Sequence, residues 1–517
     1  MTARIHRHPL LFAACAIALA ASGTRANDTA TVIDVGDQRQ LFLDDALIDL
    51  EHSKNLQRSL NSPTSIQRVL KPERPSEALG FIFYGSVVDD EGEVKLFHGS
   101  YDADKKKRFS LATSRDGLHF ERPNLGLTEY RGDTDNNILP VEAVEAGVFL
   151  DPHAESEKRY RLLYTRHWPD PATAGVYVAS SPDGIRWTES DQRVFPFAPD
   201  SQHAGFWDEK LGRYVIYLRA WDPVRSVARV ETDNLEAPWP YDAAVTPHHI
   251  WGKDKVPTPS KELPVVMTPD AHDPENVQLY TSAAIRYPFA ADTYLAFPAA
   301  YMLFRGDEWK SRTLNSNDGT FDIQFASSRD GITWNRLRLP YVAAGRHDGM
   351  DLRLVSMCQG MVRRGDVLHQ YFIGWPHTHG RPVVWDKDLE DRAEWLQRDL
   401  GGIYCATQRL DGFVSLDAGD EVAVVTTRPL RFSGNRLLLN VHTDGAGSAR
   451  VALLRPNGTA IPGFGNSNAV AINADSVNQE VVWNGGPDVG PLADQEVRVQ
   501  ITLRRAKIFA FQFTRQP

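Results

Sequence analysis

Several acidic residues stand in stretches that occur once in the chain: Glu77 in "PSEALG", Glu142 and Glu145 in "PVEAVEAG", Asp200 in "APDSQHAG", Asp273 and Glu275 in "HDPENVQLY", and Asp351 in "GMDLRL". Each stretch leads toward an apolar, strand-like run. Acids that converge on one axis repel, so some hold a proton while others stay ionised. A protonated acid beside an ionised one is the pair that glycosidic bond cleavage needs. Glu77, Asp200 and Asp351 are the expected catalytic residues.

The loops "TRHWPDPATAG", "LRAWDPVRS", "YMLFRGDEWKSRTLNSNDG" and "GWPHTHGRPVVWDKDLEDRAEWLQRDLGG" are crowded with Trp, Arg, His and Asp. Trp168, Trp221, Trp309 and Trp375 offer flat apolar faces suited to sugar rings. Arg219 and Arg305 offer planar donors for hydroxyls or an acidic group. His167, His203 and His377 complete the expected binding set. His377 and His379 are spaced like half a metal site, but no third ligand accompanies them, so no metal and no cofactor is expected. There is no Gly-rich phosphate loop and no nucleophile elbow.

These residues need a scaffold, and the repeats supply it. "SRDGLHF", "SPDGIRW" and "SRDGITW" place Asp-Gly at Asp116, Asp183 and Asp330. A degraded copy is expected at Asp233, and a fifth at Asp411. Alternating residues before each Asp read as a strand, and Asp-Gly reads as a tight turn. A second hairpin precedes each copy, with Asp151 and Asp208 in equivalent turns. Recurrence at one structural position marks Asp116, Asp183, Asp330 and Asp151 as turn formers. Two hairpins per unit, repeated five times, predict a five-bladed β-propeller over residues 27–418, with 31–74 closing it or packing beneath. Alternating strands without the phrase predict a β-sandwich over 419–517. The expected fold class is therefore all-β.

The net charge of −10 argues against nucleic acid as the main ligand. Arg4 and Arg7, an apolar run from Leu10 to about Ala21, and Thr24-Arg25-Ala26 have the layout of a secretory signal spanning 1–26. The expected location is therefore periplasmic or extracellular. A lipid anchor through Cys15 is the other reading of that segment. No later segment reads as transmembrane. Cys358 and Cys405 fall on the first and third strands of one unit, beyond disulfide reach, and are expected as free thiols.

With these phrases in place, the chain resembles the five-bladed propeller glycoside hydrolases, which include families 32 and 43. It is most similar to an exported bacterial group described as family-32-like. The resemblance rests on "LFLDDALI" (Leu41–Ile48), "GVFLDP" (Gly147–Pro152), "GFWDEKLGRYVIYLR" (Gly205–Arg219) and "SSRDGITW" (Ser327–Trp334). It implies a secreted glycosidase acting on an oligo- or polysaccharide. The invertase-like Asn-Asp-Pro-Asn, Arg-Asp-Pro and Glu-Cys motifs are absent. Glu145 stands near the place of the Arg-Asp-Pro carboxylate, and Asp44-Asp45 lies where the family places a first acid. Non-catalytic carbohydrate binding and protein binding are the alternative functions.

Overall fold

The computed structural model describes residues 32–166, 173–221, 224–241, 263–304, 317–380 and 399–515. It is all-β, and among the described residues the helical segments are short 3-10 turns. None of these is long and apolar enough to cross a membrane. The chain forms two compact units, one from Ser62 to Leu410 and one joining the chain before residue 62 to the chain from Asp411 onward. The sequence-based division at 418/419 differs at both ends. Gln57–Leu60 pairs with Val414–Ala418, so these strands go with the C-terminal segment.

In the unit from Ser62 to Leu410, successive strands fold back as antiparallel sheets. The first holds Phe81–Asp90, Glu93–Tyr101 and Lys107–Ser114. The second holds Val144–Leu150, Tyr160–Arg166, Gly175–Ser181 and Thr188–Phe195. The third holds Ala204–Asp208, Arg213–Ala220, Ser226–Thr232 and Val265–Met267. An eleven-stranded sheet contains two further groups, one over 277–342 and one over 354–409, joined by the parallel pair Phe321↔Leu354. Ser65–Leu70 is the outermost strand of the last group, paired with Gly402–Arg409. Inner strands are apolar almost throughout because both faces are covered. "YRLLYTR" (Tyr160–Arg166) is buried except at its end, whereas the outer "TESDQRVF" (Thr188–Phe195) is largely exposed.

The Asp-Gly phrase forms the same turn three times. Asp116, Asp183 and Asp330 each accept from the backbone N–H groups two and three residues on, at 2.7–2.9 Å, and from the preceding Ser hydroxyl. Gly117, Gly184 and Gly331 follow at φ 81, 74 and 71, which a Cβ would strain. The two weaker copies depart from this. Asp233 pairs with Arg213, and Asp411 is buried against Arg39. Both carboxylates serve ion pairs in place of the turn.

The other repeated acids tie neighbouring sheets together. Asp90 accepts from the Tyr160 hydroxyl, Asp151 from Tyr214 and Asp208 from Tyr294, each tyrosine lying in the next sheet along the chain. Tyr371 of the last group donates to Gly117 O of the first sheet. Backbone bonds Val87 N–Gln359 O and Gln359 N–Gly85 O join those same two. Cys358 and Cys405 are both free and buried. They flank Tyr371 from opposite sides, Cys358 N bonding Tyr371 O and Cys405 facing Tyr371 across the sheet. That is the separation by one strand that excludes a disulfide.

The second unit is built on two long strands, Arg436–Leu454 and Arg498–Thr514, paired along most of their length. Val414–Ala418, Ala423–Thr426, Asp475–Glu480, Gln40–Leu41 and Gln57–Leu60 complete a seven-stranded sheet. Ile33–Gly36 runs parallel to Leu430–Phe432. One cluster of buried residues, including Leu439, Val451, Trp483, Ile501 and Phe513, forms its core. Asn457 forms an Asx turn, its side-chain carbonyl accepting from Thr459 N at 3.1 Å.

Candidate functional site

The first strand of the second sheet is interrupted where it begins. In the second sheet Val144 faces Thr165 but Gly147 faces Leu163, so an extra residue is inserted between them. Glu145 lies in this bulge at φ 57, a left-handed conformation rare for a side-chain-bearing residue. Gly147 follows directly. A Cβ there would stand 1.7 Å from the His203 carbonyl oxygen, so only glycine allows this approach. Asp200, in the segment entering the third sheet, is also left-handed, at φ 62. His203 N donates to Glu145 O at 3.4 Å, which links the two segments. Bulges beside active sites re-aim side chains, and backbone strain persists where the surroundings enforce it.

Asp200 is paired with Arg219 at 3.1 Å, and Arg219 also donates to Tyr280 O at 2.8 Å. Its guanidinium lies over Tyr280 and Trp221, with centroids at 4.1 and 5.2 Å. Trp221 donates to Pro199 O at 3.1 Å, which fixes the ring beside the Asp200 segment. Arg225 faces Trp221 at 4.7 Å. His379 joins the same wall, with Nε2 and the Tyr280 hydroxyl 3.0 Å apart and Nδ1 bonded to Asn317 O at 2.9 Å.

Burial pushes the Tyr84 hydroxyl well above the usual tyrosine range. Tyr280, Glu145 and Asp200 add to this, and Arg219 opposes it. Tyr101 is raised by burial and by Tyr280, Glu145 and Asp200. Both tyrosines therefore feel both carboxylates and remain hydroxyl donors at neutral pH. Burial lowers His379 to about 4, with Arg225 and Arg219 adding to the effect, so its imidazole is neutral.

The expected catalytic residues separate. Asp200 belongs to this cluster. Glu77 is fully buried in a 3-10 turn, bonded to Arg122 at 2.8 and 2.9 Å and accepting from Glu73 N and Arg74 N. These partners account for its carboxylate as structural. Asp351 lies on the short hairpin Gly345–His347/Met350–Leu352, with its side chain 61% exposed beside Arg353. Of the expected binding residues, Arg219 and Trp221 line the cluster. His203 is fully buried and shares a hydrogen bond with Thr165 Oγ1 at 2.8 Å. Trp375 is 5% exposed, bonded to Phe81 O and packed on Phe83 with centroids 4.0 Å apart, so its ring serves the core. His377 packs on Trp375 at 4.6 Å. His167, Trp168, Arg305 and Trp309 lie outside the described residues.

Tyr84, Tyr101, Arg225 and Tyr280 were not singled out from the sequence, and His379 was noted only as half of a metal-like spacing. The signal for Arg225 was present in "LRAWDPVRS", whose two arginines flank the tryptophan already chosen. The tyrosines sit in ordinary strand phrases and carry no such signal.

A cavity of about 600 Å³ opens at the far ends of the same inner strands, lined by Val87, Val148, Phe206, Ile285, Phe289 and Met361 among others. Two acids line it, Glu91 and Asp89, and Asp89 is ion-paired with Arg364 at 2.6 Å. No group of three metal-ligating side chains occurs among the described residues.

No family model matches the chain, and no curated protein matches it. Similar solved structures include one named as a glycoside hydrolase, 12% identical with a TM-score of 0.42, covering 68% of this chain and 92% of that one. Another is an N-acetylgalactosamine deacetylase from F. plautii in complex with blood group B trisaccharide. It is 12% identical with a TM-score of 0.40, covering 68% and 95%. A third is an endo-1,4-beta-xylanase from Bacteroides thetaiotaomicron, 13% identical with a TM-score of 0.36, covering 60% and 87%.

Proposed function

We propose that the chain is an exported glycoside hydrolase with Glu145 and Asp200 as its carboxylate pair. The observation that carries this reading is their shared setting. Both are held in left-handed backbone at the heads of adjacent inner strands, and both charges act on the same two tyrosines, Tyr84 and Tyr101. Asp200, paired with Arg219 at 3.1 Å, is assigned as base or nucleophile. Glu145, 5% exposed, is assigned as general acid. Tyr84 and Tyr101 donate to sugar hydroxyls, and Trp221 flanks the entrance.

The scaffold is a five-bladed propeller with a C-terminal β-sandwich. Successive sheets are tied in chain order, and the last group bonds back to the first through Tyr371, Gln359 and Val87. Residues 1–26 act as the export signal, and N-terminal sequencing of the secreted protein should begin at Asn27. The function is tested by sugar release from a panel of glycans. Activity that vanishes in both Glu145→Gln and Asp200→Asn, with melting unchanged, supports the reading. Binding without release by the wild type would instead make this a carbohydrate-binding propeller.

A further inference from the structure

Arg219 and Arg225 bring two guanidinium groups to one aromatic wall. Arg219 is on the strand Arg213–Ala220, and Arg225 immediately precedes the returning strand Ser226–Thr232, which pairs with it from Ala220↔Ser226 onward. Both guanidinium groups face Trp221 and Tyr280, and Arg225 also faces Tyr301 at 5.6 Å. Their ionic partners differ. Arg219 holds Asp200. Arg225 donates to two neutral amide oxygens, Gln278 Oε1 at 2.7 Å and Asn317 Oδ1 at 3.1 Å. Among the described residues no carboxylate lies within ion-pair distance of it.

Arg122, Arg161, Arg229 and Arg336 are similarly withdrawn from solvent, and each holds a carboxylate: Glu77, Asp151, Glu231 and Asp273. A withdrawn cation without a counter-charge is costly, and a second cation beside it adds repulsion. Burial and the Arg219 charge weaken the hold of Arg225 on its proton, outweighing Tyr280, Tyr301 and the more distant Asp200. An incoming anion removes both penalties. Arg225 is only partly buried, each terminal nitrogen makes a single bond, and a guanidinium presents its donors in a planar fork suited to an oxyanion.

We propose that the Arg219–Arg225 pair receives an anionic substituent of the sugar, a uronic acid carboxylate or a sulfate ester, so that the substrate is a charged glycan. The inference rests on the glycosidase reading above and adds its substrate class.

The test is calorimetric binding of an oligogalacturonide, the same oligomer with its carboxyls methyl-esterified, and a sulfated galactan oligosaccharide. The wild type should bind a charged oligomer at least about tenfold more tightly than the ester, the scale of one charge-assisted contact. Added salt should narrow that preference. Arg225→Gln should abolish it, and Arg225→Lys should keep part of it. Preference for the sulfated oligomer over the carboxylated one supports the proposal and assigns the anion to a sulfate ester. Equal binding of charged and esterified oligomers by the wild type overturns it, as does an unchanged preference in a folded Arg225→Gln protein. If Arg225→Gln does not melt cooperatively, the wild-type comparison decides. Release of neutral sugars alone would sink this inference and leave the hydrolase reading standing. No binding or cleavage of any glycan would sink both.

Discussion

The strand Val144–Leu150 carries an acid at each end: Glu145 at its head and Asp151 just past its tail. Asp151 accepts from His153 N at 3.1 Å, Arg161 at 3.1 Å and Tyr214 at 2.7 Å. It recurs as Asp208 in the next sheet, where Lys210 N and Tyr294 take the parts of His153 N and Tyr214, and Leu211 N adds a further backbone bond. Glu145 sits instead in a bulge on left-handed backbone, and it acts on Tyr84 and Tyr101. Acids that recur at one structural position hold turns and neighbouring sheets, whereas Glu145 has no counterpart in that role.

The largest expected effect breaks or keeps this contrast directly. Asp200→Asn and Glu145→Gln should each lower glycan release by about 10²–10⁴-fold, the range for a positioned acid or base, with melting temperature nearly unchanged. Asp151→Asn should do the reverse, keeping activity per folded molecule while the protein becomes less stable. Retained activity in both Asp200→Asn and Glu145→Gln would place the chemistry elsewhere.

Glu77 sharpens the comparison, because it is unrepeated yet structural. Glu77→Ala removes the buried partner of Arg122 and leaves it only the exposed Glu73 at 3.9 Å, which should cost about 3 kcal/mol in urea unfolding. A folded fraction of Glu77→Ala with wild-type turnover would confirm that its role ends there. Loss of turnover at unchanged stability would restore it to the site.

The repeats made the all-β class, the turn positions and the free cysteines legible, because each follows from local chemistry. Asp-Gly needs a bound carboxylate and a positive φ, and both can be read within seven residues. The domain boundary was not legible, because Gln57–Leu60 pairs with Val414–Ala418 across most of the chain, and nothing local records such pairing. Asp200, Arg219 and Trp221, marked by residue type and loop position, lie in one cluster. Glu77 and Asp351 stand apart from it for opposite reasons: the partner of one, Arg122, is distant in sequence, and the other lies on a solvent-facing hairpin. Glu145 was visible only as one carboxylate among several, since its bulge depends on the register against Tyr160–Arg166.

A smaller effect concerns pH. His98 is fully buried on the second strand of the first sheet, and neither ring nitrogen has a hydrogen-bond partner. Burial lowers it to about 4, with Arg122 helping and Glu77 opposing. The unfolded chain therefore binds this proton first as pH falls. Stability is fully present above about pH 6.5 and declines toward pH 4, by on the order of 1 kcal/mol per pH unit from this group. Urea midpoints across that window should show the decline, and His98→Leu should flatten it. An equally steep decline in His98→Leu would assign the acid sensitivity to other groups.

The smallest effect is expected at Asp351, and it tests which acids the fold exposes without using. Its ion pair with Arg353 joins two side chains that are 61% and 54% exposed. Water screens such a pair, so its contribution is within about 1 kcal/mol. Asp351→Asn should therefore change neither glycan release nor the urea midpoint measurably, in contrast to Asp200→Asn. Both acids were chosen from the same sequence pattern, so the pair of variants separates pattern from setting. A tenfold or greater loss of release in Asp351→Asn would mean that the hairpin Gly345–Leu352 reaches the reacting sugar. The bulged strand heads would then share the chemistry with an exposed edge.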